Sequence, residues 1–441
     1  MTEAPRATST TLPPHFEYRD DALFVEDLPL AAVADRHGTP TYVYSKAALV
    51  EAFAAYHDPC RARTGRGDAL VCYAVKANAN LSVLRVFAEA GAGFDIVSGG
   101  ELERVLAAGG DPARVIFSGV GKTQDEMRRA LEVGIDCFNV ESSSELRQLA
   151  AVARTLGKVA PVSLRVNPDV DARTHPYIAT GLKESKFGIA YDEALALYAD
   201  AASMPELAVI GVDCHIGSQL LDAGPLIDAL EKLIVLVDAL ADRGIAITQL
   251  DLGGGIGIDY GDDPDAPGID VARYLGRVFE RIDRWRDQRH AGRPIRLLFE
   301  PGRSLVGNAG ALLTTTLVLK PGTGRNFAVV DAAMNDLIRP TLYDAWHRIV
   351  PLTPRTGDAP TWDVVGPICE SGDWLARDRP LAIAEGDRLA ILSAGAYAMT
   401  MASNYNSRPR AAEVLVDGGS MVVVRSRETI DRILSDERVP Q

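Results

Sequence analysis

The chain carries a lysine where an apolar run passes into a polar one, in Tyr73-Ala74-Val75-Lys76-Ala77-Asn78. Lysine is used sparingly here, with eight against 38 arginines, so its placement carries information. A desolvated amine at a strand end can form a Schiff base with an aldehyde cofactor. Taken alone, Lys76 also fits a stem snorkelling to solvent. A second run ends in His215-Ile216-Gly217-Ser218-Gln219: a flat ring for stacking on an aromatic cofactor, then a hydroxyl and backbone N–H groups suited to a phosphate, although a lone histidine also serves structure. A third leads into Asp251-Leu252-Gly253-Gly254-Gly255-Ile256-Gly257, where missing side chains would expose successive backbone donors to an anion. The spacing is not that of a P-loop, and tight turns use glycine clusters too. A fourth ends in Glu300-Pro301-Gly302-Arg303. A carboxylate facing a pyridine nitrogen keeps it protonated and makes the ring an electron sink, whereas an arginine would weaken the sink. Glu300 therefore leans toward decarboxylation, with a surface salt bridge as its plain alternative.

Three later clusters add polar chemistry. Arg339 and Tyr343, four apart in Asn335 to Tyr343, offer a guanidinium fork and a phenol to a carboxylate. In Gly366-Pro367-Ile368-Cys369-Glu370-Ser371-Gly372-Asp373 a thiol lies beside acids and glycines, which are poor core neighbours, although a buried inert cysteine is the usual alternative. Gly395-Ala396-Tyr397 and Asn404-Tyr405-Asn406-Ser407-Arg408-Pro409 form a polar, aromatic segment better suited to a site or interface than to packing.

These residues need elements to position them. From about residue 70 to 300, short β-branched runs alternate with amphipathic stretches, the signature of parallel βα units. The strands are expected at 70–75, 93–97, 115–118, 137–140, 162–167, 209–215, 248–252 and 295–300, with helices such as 100–108, 142–156 and 226–242. Eight repeats predict a (β/α)8 TIM barrel, with an open doubly wound sheet as the alternative. In a barrel the C-terminal strand ends carry the chemistry, and the loops after strands seven and eight are the usual phosphate site. After Ala309 the pattern changes to strand-like runs at 312–319, 327–330, 388–391 and 421–424, predicting a mainly antiparallel β-domain. The stretch 17–25 reads as a strand joining that domain, which is then built from both chain ends. The expected division is 1–39 for the tail and first strand of the β-domain, 40–310 for the barrel and 311–441 for the C-terminal β-domain.

The 441 residues suit one large domain and one smaller. With 47% hydrophobic and 24% charged residues the composition is that of a globular protein. A net charge of -14 and a pI near 5.1 argue against a nucleic-acid or anionic-membrane surface. No apolar run approaches a membrane span, the first residues lack a signal-peptide core, and a cytoplasmic protein is expected. Five cysteines show neither zinc spacing nor disulfide density, so no metal is expected, and Cys60, Cys72, Cys137 and Cys214 read as small core residues.

With these residues in place the chain closely resembles the diaminopimelate decarboxylases, of the alanine-racemase-like (fold type III) pyridoxal 5'-phosphate (PLP) enzymes. The likeness runs over about residues 15 to 430 and rests on YAVKAN, FDIVSGGEL, RVNPDVDARTHPYIATGLKESKFGI, CHIGSQ, DLGGGIGI, EPGRSLV, MNDLIRPTLYDA, CESGD and NYNSRPR. It implies decarboxylation of meso-2,6-diaminopimelate to L-lysine and CO2, with Lys76 holding PLP, His215 stacked on its ring and Glu300 facing its nitrogen. Ser218, Gly254, Gly255, Gly302 and Arg303 would surround the phosphate, with Tyr397 nearby. Arg303, Arg339, Tyr343 and Tyr397 would position substrate. Cys369 would reprotonate the α-carbon and Glu370 meet the distal amino group, both from a partner subunit's loop, implying a homodimer with shared sites. Ala333 stands where the family pattern expects glycine. Relatives acting on ornithine, lysine or arginine usually carry an aspartate-containing loop after the cysteine, where this chain has Glu370-Ser371-Gly372-Asp373. A catalytically inactive relative is disfavoured by Lys76, Glu300 and Cys369 together.

Overall fold

The computed structural model describes residues 11–63, 68–171, 186–262, 268–289 and 295–440; the stretch 172–185, within the motif running from Arg165 to Ile189, lies outside them. Two compact units emerge, one of residues 51–258 with 268–304, the other of residues 1–50, 259–267 and 305–441.

The first unit is a closed parallel barrel. Its strands, first to eighth, are Ala69–Ala74, Gly93–Ile96, Val115–Phe117, Cys137–Val140, Ala160–Asn167, Leu207–Asp213, Gln249–Asp251 and Arg296–Phe299. Each pairs in parallel with the next, and the eighth pairs with the first to close the ring. Closure rules out the open sheet. The intervening helices start where the sequence supplies caps: Asn80, Ser98, Thr123 and Ser142 each accept a backbone N–H of the first turn.

Strand alternation decides what reaches the barrel interior. Tyr73 points outward and packs on Phe87 of the following helix, ring centroids 4.4 Å apart. Leu70 and Cys72 therefore point inward, where they cluster with Ile116 and Leu298. A Cβ at Gly93 would meet Cys72 and Leu70, so Gly93 also faces in, and two residues on so does Asp95. The same period leads from Cys137 to Asn139, Ser163 to Arg165, Gly211 to Asp213, Gln249 to Asp251 and Leu298 to Glu300. An apolar layer is thus capped, toward the strand C-termini, by a buried polar one.

In the second unit a nine-stranded sheet is built on Gly310–Lys320, which pairs with Thr41–Ser45, Phe327–Val330 and Arg388–Ile391. Most pairings are antiparallel; Ala412–Asp417 beside Thr41–Ser45 and Thr361–Val365 beside Phe327–Val330 are parallel. Both chain ends build the unit, but the stretch 17–25 differs from the reading as one strand. It is a hairpin, Phe16–Arg19 against Ala22–Val25, in a small three-stranded sheet of its own. Asp20 and Asp21, at φ 47° and 60°, reverse the chain there. The hairpin's Phe16, Leu23 and Val25 still bury themselves with Val43, Leu313, Ala390 and Val414. No helix among the described residues is long and apolar enough to cross a membrane.

Candidate active site

Lys76 lies in a single helical turn, Val75–Ala77, directly after the first barrel strand. The Tyr73 hydroxyl donates to the Asn78 carbonyl (2.9 Å) and pins that turn. The Ala74 N–H donates to the Pro301 carbonyl (3.0 Å), and a Cβ at Gly302 would sit 3.1 Å from those of Ala74 and Ala77. Gly302 therefore lets the turn after the eighth strand lie against the lysine's own turn. The Lys76 ammonium pairs with the fully buried carboxylate of Asp95, and it is close enough to Glu300 to favour ionisation of that acid.

Glu300 follows the eighth strand, 5% exposed, with Asn139 Nδ2 3.4 Å from its Oε1. Burial first, then the charges of Asp251 and Asp95, push its carboxyl well above the usual range. Asp213 and Asp251, opposite each other on adjacent strands, are raised in the same way, burial being the largest cause for each. Carboxylate oxygens of Asp213, Asp251 and Glu300 all lie within 4.8 Å of one another.

The glycine run after the seventh strand is tied to the same place. Gly253 N–H donates to Asp251 Oδ1 (2.9 Å), its carbonyl accepts from Glu300 N–H (2.8 Å), and Gly254 N–H donates to His215 Nδ1 (3.2 Å). Accepting at Nδ1 assigns the neutral His215 ring its proton at Nε2. Burial, then the charges of Arg165 and Lys76, push that ring well below the usual histidine range, so it stays neutral. A Cβ at Gly254 would land on the Glu300 carbonyl oxygen, and one at Gly255, whose φ is +103°, on that of Gly217. No residue with a side chain fits this turn. Arg303, 7% exposed, donates through Nη2 to the Ser218 hydroxyl (3.1 Å), so the guanidinium and hydroxyl already converge.

In the second unit, Arg339 opens a short helix, Arg339–Tyr343. Its Nη1 donates to His347 Nε2 (2.7 Å), while His347 Nδ1–H donates to the Leu392 carbonyl (2.9 Å), and the guanidinium lies over the Tyr260 ring at 4.8 Å. The fork is thereby fixed in direction. Tyr343 is half-buried, as is Tyr397, whose φ is 53°. Cys369 and Glu370 are exposed. Their loop is held from behind: Cys369 N–H donates to Asn406 Oδ1 (2.9 Å), and buried Asp373 accepts from the N–H groups of Met334 (2.7 Å) and Ile368 (2.9 Å). The Ala333 methyl is accommodated because Gly366, facing it, has none.

The first unit's donor set fits PLP: an amine at one strand end, a buried acid for a ring nitrogen, a neutral flat imidazole, and Arg303, Ser218 and a side-chain-free turn for a phosphate. The comparisons agree. The model of the pyridoxal-dependent decarboxylases, pyridoxal binding domain, matches residues 50–307. A diaminopimelate decarboxylase of Pseudomonas aeruginosa is 59% identical over 422 residues, 96% of this chain and 98% of that protein. The chain belongs to the diaminopimelate decarboxylase family. Solved members of the family in complex with L-lysine share its fold. That of M. jannaschii has a TM-score of 0.92 at 36% identity, covering 98% of this chain and 99% of that one. That of Helicobacter pylori has 0.85 at 40%, covering 92% and 98%. As a pyridoxal-dependent decarboxylase the chain takes PLP as its cofactor. The inward acids Asp95, Asp213 and Asp251, with Asn139, Arg165 and His347, receive no role from the sequence, whereas Asn406 lies in the polar segment 404–409 read there as a site or interface. The inward ones carried a signal, since each is a polar residue in phase with the inward face of an apolar run.

Proposed function

We propose that the chain decarboxylates meso-2,6-diaminopimelate to L-lysine and CO2. The observation that carries this reading is that one barrel places the strand-end amine of Lys76 where its charge acts on the buried acid of Glu300. The substrate is supported by 59% identity to a diaminopimelate decarboxylase over nearly the whole length, and by relatives solved with L-lysine, the product of this reaction.

Lys76, His215, Ser218, Gly254, Gly255, Glu300, Gly302, Arg303 and Tyr397 are assigned to PLP. When bound, it supplies an aldehyde for the substrate amine and a conjugated ring that takes up the electron pair left as CO2 departs. Lys76 would hold the cofactor through its amine, the nucleophile that this strand end supplies. Glu300 would hold a proton toward the ring nitrogen, and His215, being neutral, would line the ring without opposing that charge. Arg303, Arg339, Tyr343 and Tyr397 orient the substrate; for Arg339 the clamp by His347 and Tyr260 removes rotational freedom before binding. Cys369 delivers the thiol proton to the α-carbon, and Glu370 receives the distal ammonium.

Parallel assays of diaminopimelate, ornithine, lysine and arginine test the substrate. Diaminopimelate is expected to be turned over fastest, and ornithine turned over faster would remove the assignment. We further propose a homodimer in which Cys369 and Glu370 serve the site of a second copy, in keeping with their exposure on the isolated chain. Mixing inactive Lys76→Ala and Cys369→Ala chains should then restore up to about a quarter of wild-type activity, since random pairing gives half hybrids with one intact site each. No restoration after exchange of subunits would show that the sites are not shared. Five thiols, none paired with another, suit the reducing cytoplasm.

A further inference from the structure

We propose that Asp251 is a positioning residue for Glu300, the two buried carboxyl groups sharing a single proton that fixes the acid of the eighth strand to the glycine turn. This deepens the reading of Glu300 given above and rests on it for its consequence in catalysis.

Asp251 is fully buried, and its two oxygens have different fates. Oδ1 accepts the Gly253 N–H, whereas Oδ2, shut off from solvent, meets no hydrogen-bond donor among the described residues. An ionised carboxylate oxygen left so would forfeit the whole of its hydration. Within 4.8 Å, among the described residues, lie the carboxylates of Glu300 and Asp213. Like charges directly opposite on paired strands repel, and Asp213 and Asp251 are in register. A proton carried by the acids themselves resolves both problems, because an acid donates where a carboxylate accepts.

The charges around the pair say which acids hold it. Lys76 is paired with Asp95 from the second strand. Arg165 from the fifth strand bonds Glu141 (3.3 Å), and its charge opposes, without overcoming, the burial that raises Asp213. His215 is neutral, and the neighbouring thiols of Cys72 and Cys214 are pushed well above their usual range by burial, so they bring no charge. Among the described residues, the five acids Asp95, Glu141, Asp213, Asp251 and Glu300 thus face two cations, Lys76 and Arg165. The charge of Lys76 reaches Glu300 as well, but among the described residues no cation is bonded to Asp251 or Glu300, and Asn139 is the weak donor to Glu300. The arrangement is that of two carboxyls too close for both to ionise. Since Gly253 bonds Asp251 through its N–H and Glu300 through its carbonyl, the shared proton closes a ring through Asp251, Gly253 and Glu300. Asp251 thereby sets the ring-nitrogen acid relative to the phosphate turn.

The test uses the full chain, freed of PLP and reloaded, with Asp251→Asn, which keeps an Oδ1 for Gly253, and Glu300→Gln. In the PLP-free wild type an infrared band of a protonated carboxyl, sensitive to deuterium, is expected, and each variant should lose it. The wild type's folding constant should fall relative to the Asn variant by up to about tenfold per pH unit above the ordinary carboxylate range, because the folded state retains a proton the unfolded chain has released. In the reloaded enzyme Asp251→Asn should lower kcat at least about tenfold with KM within about twofold, as expected where positioning and not binding is lost. Should the Asn variant fail to fold, Glu300→Gln reports on the same proton. A band persisting in both variants, a band absent from the wild type, or a stoichiometric divalent cation retained by the PLP-free chain would overturn the proposal. A chain that shows the band yet takes up no PLP would instead overturn the role of Glu300 and leave the carboxyl pair standing.

Discussion

Replacement of Lys76 by arginine is expected to lower kcat by at least about a thousandfold while the protein still folds. Arginine keeps the positive charge that faces Asp95 and eases the ionisation of Glu300, so the buried charge balance survives. It cannot replace the reaction, because a delocalised guanidinium that never loses its proton is no nucleophile toward an aldehyde. Lys76→Ala should be equally inactive and also less stable, since it strands the buried Asp95 carboxylate without its cation. The pair of variants therefore separates chemistry from charge. Borohydride reduction of the wild-type holoenzyme followed by peptide mapping should place a pyridoxyl group on Lys76. An adduct on another lysine, or an arginine variant with wild-type turnover, would remove Lys76 from its role.

The fold was legible because barrel strands and helices differ in period, and the eight runs of β-branched residues mark the strands to within a few residues at each end. Closure was not legible from period alone; it needed the eighth strand to pair with the first. The stretch 17–25 misled for a local reason. Its apolar residues alternate as in one strand, but Asp20 and Asp21 turn the chain within it. The curated relatives and the family model bear out the family, activity and cofactor read from the motifs.

What the sequence hid in the site was the partners. Motif reading singles out residues at strand ends and in loops, where polarity stands out. Asp95 and Arg165 lie inside strands and Asp213 and Asp251 close theirs, and all four become significant only once the barrel turns them inward together. His347 and Asn406 are further cases, since their value lies in holding Arg339 and the Cys369 backbone across separations of 8 and 37 residues. Such pairings are tertiary, and no local pattern encodes them.

Glu300→Gln should show the opposite of a simple structural lesion: activity lost and stability gained. Glutamine fills the same volume at a site only 5% exposed, so packing around Gly253 and Asn139 is kept. It carries no charge to hold a proton on the ring nitrogen. Losing one preorganised electrostatic contact of this kind costs about 10²–10³ in kcat, with little change in KM because substrate is held elsewhere. Stability moves the other way. The carboxyl of Glu300 is raised, chiefly by burial, so the folded PLP-free chain keeps its proton where the unfolded chain has lost it. That contribution is fully present below the unfolded carboxylate's pKa and is lost as pH rises through the folded value. A glutamine, with nothing to ionise, escapes the loss, and the PLP-free variant should melt higher than the wild type at alkaline pH and near it in acid. Turnover by CO2 release and melting across pH check the two halves on one sample. A variant that kept wild-type turnover would show that the ring nitrogen needs no acid at this position. One that lost stability at every pH would show that Glu300 is ionised and paired in the folded chain.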